Sequence, residues 1–295
     1  MRTSSLFLAG MLIGAAAAVS ASDARDAIVP APSPVLAAAD AAWARRDEGR
    51  SGVRASAGPI SEAVAEYAAA AAAPGSVEAR WKLARALFFR GKFTGLDRGA
   101  ARALFEEARE AGEAAIAVLR RRASVPADAS PVEVAAALAG ERDAAPTYFW
   151  TAVAWGEWAQ LAPRLKAAKA GAATKVRDYA STVIALDPAF EEGGGYRILG
   201  RLHDRAPKIP LVTGWVSRDE AVRNLRLAVR AAPRNFVNRH FLAEALAGSG
   251  GPGKKEAIRL ERELLADAPS PDHLVEDAAI QDQAKQNLLA WTARS

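Results

Sequence analysis

Seven consecutive residues, Glu191-Glu192-Gly193-Gly194-Gly195-Tyr196-Arg197, bring two carboxylates, a glycine run and a guanidinium together. Consecutive glycines permit positive φ and close backbone approach, so Gly193, Gly194 and Gly195 are expected to form a backbone turn. Amides exposed where a helix starts favour anions, and Arg197 in the first turn adds charge of the right sign. The competing reading is an ordinary inter-repeat turn, and the two acids upstream oppose an anion.

A second group is aromatic. Tyr148, Trp150, Trp155 and Trp158 fall on one short helical stretch. At about 100° per residue, Trp150 and Trp158 lie about 80° apart and Trp155 about 140° from Trp150. These rings cannot share one face. Some pack on a neighbouring helix, and others are free to line a groove. A third group is basic. Arg197, Arg201 and Arg205 recur every four residues. Arg223, Arg226 and Arg230 share a face opposite the apolar Ala221/Leu225/Ala228 stripe. Such a face is either solvated or a docking surface for an acidic partner.

Other constellations fail on inspection. Gly248-Ser249-Gly250-Gly251-Pro252-Gly253-Lys254-Lys255 resembles a phosphate-binding loop, but Lys255 stands where a Ser or Thr would hold magnesium. No strand precedes it. Glu106-Glu107 and Glu191-Glu192 are sequence neighbours that a helix would splay by about 100°. The three histidines are far apart, and cysteine is absent, which removes disulfides, thiolate nucleophiles and cysteine-based zinc sites. The expectation is a protein that is not an enzyme, with no cofactor and no metal. The net charge of +5 comes without a dense Lys/Arg tract, so nucleic acid is not an expected partner.

The elements that must position these groups are helical. Of 295 residues, 51% are hydrophobic, and alanine dominates them. Alanine has the best helix propensity and lets helices approach closely. Residues 1–21 read as a signal peptide, with Arg2, an apolar Leu6–Ala18 stretch and small residues at Val19-Ser20-Ala21. The stretch is shorter than a spanning helix needs. The expected location is periplasmic, soluble and without stable membrane insertion once the signal is removed, the alternative being an uncleaved anchor. Residues 22–60 read as a linker with one short helix around Val35–Arg46. Residues 61–295 read as the globular part.

Four stretches fit a tetratricopeptide-like (TPR-like) pattern of paired helices. The clearest has Tyr196, Leu199, Gly200 and His203 on a first helix, with Ala221, Leu225, Ala228 and Pro233 on a second. Leu83/Ala84/Leu87 with Ala101/Phe105/Ala108 form another, and Trp150/Val153/Ala154 with Ala180/Val183/Pro188 a third. The last is Leu242/Ala243/Leu246 with Ala257/Leu264/Pro269. The expected fold is all-α, with TPR-like antiparallel helix pairs forming a compact solenoid or bundle around a concave groove. A helix from Asp272 to about Trp291 is expected to cap it.

Tyr148-Phe149-Trp150, Trp155-Gly156 and Gly193-Gly194-Gly195-Tyr196-Arg197-Ile198-Leu199-Gly200-Arg201-Leu202, followed by the Ala221–Pro233 and Asn238–Ala245 helices, carry a resemblance. The segment 146–267 resembles the T component of TRAP (tripartite ATP-independent periplasmic) transporters. The resemblance implies a periplasmic helical protein with a hydrophobic groove or pore. Such a protein works beside a TRAP-type substrate-binding protein and is a candidate homo-oligomer. The implied ligand-lining residues are Trp150, Trp155, Tyr196 and Arg197, around a small hydrophobic or organic-acid ligand. Arg201, Arg205, Arg223, Arg226 and Arg230 are the candidate docking surface. Two features depart from the family: no cysteine is available for lipidation, and Gly195 stands where proline is expected. The alternative is a general TPR scaffold for envelope assembly.

Overall fold

A computed structural model describes residues 36–210, 212–248 and 250–293. The expected signal peptide lies outside the described residues. Among them the secondary structure is all-helical, with thirteen α-helices and no named strand.

Local chemistry sets the helix ends. α1 (Ala37–Ala44) and α2 (Ala57–Ala71) lead into α3 (Val77–Phe93). α4 (Arg98–Arg122) starts at Asp97, whose Oδ1 accepts from the amides of Gly99 and Ala100 at 2.7 and 2.9 Å. α5 (Pro131–Ala137) opens on a reciprocal Ser130/Glu133 capping box. α6 (Ala144–Leu161), α7 (Arg164–Lys169), α8 (Ala172–Leu186) and α9 (Phe190–Arg205) follow. α10 (Arg218–Ala231) is capped by Ser217 alone. The capping box that Ser217 and Glu220 could form is half made, because Glu220 turns to Arg223 at 2.5 Å instead of reaching back to the Ser217 amide. α11 (Phe236–Ala247), α12 (Gly251–Ala266), a 3₁₀ turn (Pro271–His273) and α13 (Leu274–Thr292) complete the chain. α8, α10 and α12 each stop shortly before Pro188, Pro233 and Pro269, since proline disfavours a helical residue in front of it.

The helices pack mostly on their sequence neighbours. α3 lies against α4, α6 against α8, α9 against α10, and α11 against α12. These are the four pairs expected from the spacing of small and apolar residues. A second set of contacts links α3 to α6, α6 to α9, α9 to α11, and α11 to α13. α3, α6, α9, α11 and α13 thus form a continuous inner row, while α4, α8 and α10 each also pack on the first helix of the next pair.

The folded body starts earlier than residue 61. α1 packs on α2, with Ala39 and Ala42 buried. The Tyr67 hydroxyl donates to Asp40 at 2.6 Å, and Lys82 pairs with the same carboxylate at 2.8 Å. The small alanine face of α1 permits this close seat, which the Gly/Ser/Arg-rich stretch after it had masked.

Candidate functional site

A cavity of about 940 Å³ opens within the inner row. Its wall is built from α1, α3, α6, α7, α8, α9, α11 and α13, with Arg98 at the start of α4 and residues of 206–209 and 212–213. The volume falls in the range of small-molecule pockets, roughly 300–1,000 Å³.

One side of the wall is aromatic. Phe88 of α3 meets Trp150 of α6 with ring centroids 5.7 Å apart. Trp150 sits edge-on to Phe149 at 4.9 Å. Four-residue spacing puts Trp81, Arg85 and Phe89 along one side of α3, and it is there that α3 turns a cation inward. The Arg85 guanidinium stacks 4.0 Å from the Trp43 ring and 5.2 Å from Trp81. Its Nε has no hydrogen-bond partner. Burial holds the Arg85 pKa below the usual arginine value, with Tyr67 and Glu191 offsetting part of the effect.

The second inward cation is Arg197. Burial lowers its pKa too, against the opposing pull of Glu191 and Glu192. Its Nη1 donates to the Glu191 carbonyl at 3.1 Å and to Asn238 Oδ1 at 2.9 Å. Neither guanidinium is ion-paired: among the described residues no carboxylate oxygen comes within 4.0 Å of Arg85 or Arg197. A guanidinium partly withdrawn from water without a carboxylate is costly, and groups perturbed in this way cluster at functional sites.

The backbone that positions Arg197 is unusual. Glu191, Glu192 and Gly193 all have positive φ, at 48°, 57° and 79°, inside the N-terminal turn of α9. Left-handed geometry is disfavoured for glutamate. Asn238, fully buried on α11, holds the turn by donating to the Glu192 carbonyl at 2.9 Å and the Ala228 carbonyl at 3.0 Å. The turn is thus one glycine and two glutamates, not the three glycines expected. Gly194 and Gly195 are already helical. They are small for packing: a Cβ on Gly194 would strike the Phe149 ring, and one on Gly195 would lie 2.7 Å from Ile184.

The expected site residues divide. Trp150, Arg197, Arg201 and Arg205 line the cavity. Trp155 does not: it is buried on another side of α6, against Trp158 at 5.4 Å, and its Nε1 donates to Glu113 at 2.9 Å. Tyr196 is half-buried and lies outside the wall. Arg201 and Arg205 are engaged within the molecule by Glu244, at 2.5 and 2.7 Å. Burial pushes the Glu244 carboxyl up, but Arg201, His240 and Arg205 overwhelm it and draw its pKa down to about 2. Arg223, Arg226 and Arg230 are exposed on α10; Arg223 pairs with Glu220, and Arg226 with Glu256 at 2.8 Å.

Sequence reasoning missed Arg85, Trp43, Asn238 and an acidic group on α13, Glu276 and Asp277. The one available signal was the Trp81/Arg85/Phe88/Lys92 spacing, which puts a cation between aromatics on a single helical face. Among the described residues no helix is long and apolar enough to cross a membrane. A scan against protein-family models finds no match for this chain, and a search of curated proteins finds none either.

Proposed function

We propose that this chain is an exported, TPR-like helical binding protein. It holds a small organic acid with an apolar body in the central cavity. It serves as the accessory component of a TRAP-type transport system and docks a periplasmic substrate-binding protein. It performs no chemistry on its ligand.

The observation that carries the ligand half is the pair of cavity-facing guanidiniums, Arg85 and Arg197, without carboxylate partners beside the Phe88/Phe149/Trp150 wall. A carboxylate would supply what both lack, as bidentate Arg–carboxylate pairing is strong in a dry site. The aromatic wall would take the apolar body. The transport half rests on the resemblance of residues 146–267, and the TPR-like half on the alternating inner and outer helices.

Two measurements test the halves separately. Calorimetric titration of the purified chain with 3-phenylpropionate should show binding, and Arg197→Gln should weaken it by about tenfold or more. No binding by any aryl or alkyl carboxylate would sink the ligand half. Affinity purification with the tagged chain should enrich a TRAP-type substrate-binding protein. Enrichment of envelope-assembly factors instead would favour a scaffold.

A further inference from the structure

The cavity wall also carries acidic groups without an ion-pair partner among the described residues. Glu191 lines the cavity, and its carboxylate makes no ion pair among the described residues. Its own carbonyl takes the Arg197 Nη1 at 3.1 Å, so its side chain springs from the backbone beside that guanidinium. Asp277 of α13 lines the same cavity, only 6% exposed, and its Oδ2 accepts an amide bond from Ser270 at 2.9 Å. Burial pushes the Asp277 carboxyl up, and the neighbouring charges of Glu276 and Glu192 add to that, against the Ser270 amide and His273.

Opposite charges on one turn, such as Glu191 and Arg197, ordinarily collapse into an ion pair. Here the wall helices hold them apart. Arg197 is tied back to Asn238 and to the Glu191 carbonyl, and Arg85 is clamped between Trp43 and Trp81. The left-handed turn fixes the backbone at Glu191 and Glu192. A simple carboxylate would satisfy the arginines and worsen the position of the acids. A ligand carrying both charges on neighbouring atoms would satisfy both.

We propose that the cavity is built for a zwitterion, an α-amino acid with an apolar or aromatic side chain. Its carboxylate sits on Arg85 and Arg197, its ammonium group faces Glu191 and Asp277, and its side chain lies against Phe88, Phe149 and Trp150. The proposal rests on the reading of the cavity as a ligand site and sharpens the ligand's class. Hydrogen bonds from ammonium to carboxylate discriminate strongly, because the analogue lacking the amine leaves buried acids unpaired.

The test is calorimetric titration of the purified chain with L-phenylalanine, 3-phenylpropionate and 2-phenylethylamine. L-phenylalanine should bind at least about tenfold more tightly than either single-charge analogue. Glu191→Gln should shrink the preference over 3-phenylpropionate to within about threefold, and Asp277→Asn should do the same in part. Glutamine carries the same backbone preferences as glutamate at positive φ, so an unchanged thermal midpoint identifies folded variants. Equal or tighter binding of 3-phenylpropionate overturns the zwitterion and leaves the organic-acid reading standing. Binding of none of the three overturns the zwitterion and counts against that reading as well.

Discussion

Arg85 is the residue at which ligand binding and stability should pull in opposite directions. It is half-buried, its Nε has no hydrogen-bond partner, and no acid pairs with it among the described residues. A partly buried unpaired charge costs some free energy in the empty protein. Its aromatic stacking on Trp43 and Trp81 returns only part of that, about 0.5–2 kcal/mol. Arg85→Met should therefore raise stability by about 1 kcal/mol while abolishing organic-acid binding. Urea denaturation beside calorimetry reads both. A destabilised variant would mean that Arg85 is a structural member of the α1–α3 packing. Arg197→Lys separates charge from geometry: an ammonium cannot hold Glu191 O and Asn238 while presenting a flat fork to a ligand. Its ligand affinity should fall by about tenfold even though the charge is kept.

At the scale of elements, α9 joins two devices. Its first turn stores strain, and its last turns meet α11 through Glu244. Replacing Glu191 by glycine removes a left-handed penalty of about 1–2 kcal/mol, offset in part by the greater freedom of glycine in the unfolded chain. The net expectation is a stabilisation of about 0.5–1 kcal/mol, with loss of the preference for amino acids. Equilibrium denaturation checks the first, titration the second. Glu244 sets a pH dependence. Its folded pKa, about 2, lies below the ordinary glutamate value of 4.5, so its contribution is complete above 4.5 and disappears as pH falls toward 2. The loss is of order 3 kcal/mol at most. Glu244→Gln should flatten the acid limb of stability between those values; an unaltered limb would mean that other carboxylates dominate it. These elements were legible to different degrees. Prolines, caps and small-residue spacing exposed the helix pairs, because each acts through local geometry. The direction of α6 was not legible, since Tyr148, Phe149, Ala152, Trp155 and Trp158 bury all its sides, and periodicity cannot choose which one meets the cavity. Arg85 was hidden because arginine on a helix ordinarily reads as a solvated position. The left-handed glutamates were hidden because no propensity favours them; tertiary bonds from Asn238 and Arg197 override the chain's preference.

At the scale of the molecule, the first and last described helices close the cavity on each other. Arg46, at the end of α1, donates to the Asp272 carbonyl and approaches Glu276 at 3.4 Å, bridging more than two hundred residues of sequence. Its guanidinium also lies 4.7 Å from the Trp43 ring, on the same indole that Arg85 covers at 4.0 Å. Trp43 thus meets two cations, and α1 forms part of the cavity wall through it. One Glu276 oxygen has no partner and Asp47 is raised by burial despite Arg46, so the joint depends on a single guanidinium among several acids. Removing it leaves Glu276 partly buried with only His273, at 3.9 Å, to face it. Arg46→Gln should cost about 1–3 kcal/mol, less than for a fully buried pair because both side chains keep some solvent. The loss should be local before it is global. Amide exchange in residues 37–44 and 274–280 should accelerate more than in α9 and α10, and ligand affinity should fall without any change to Arg85 or Arg197. If exchange rises uniformly, or not at all, the two ends are held by the α1–α2 apolar seat and not by this joint.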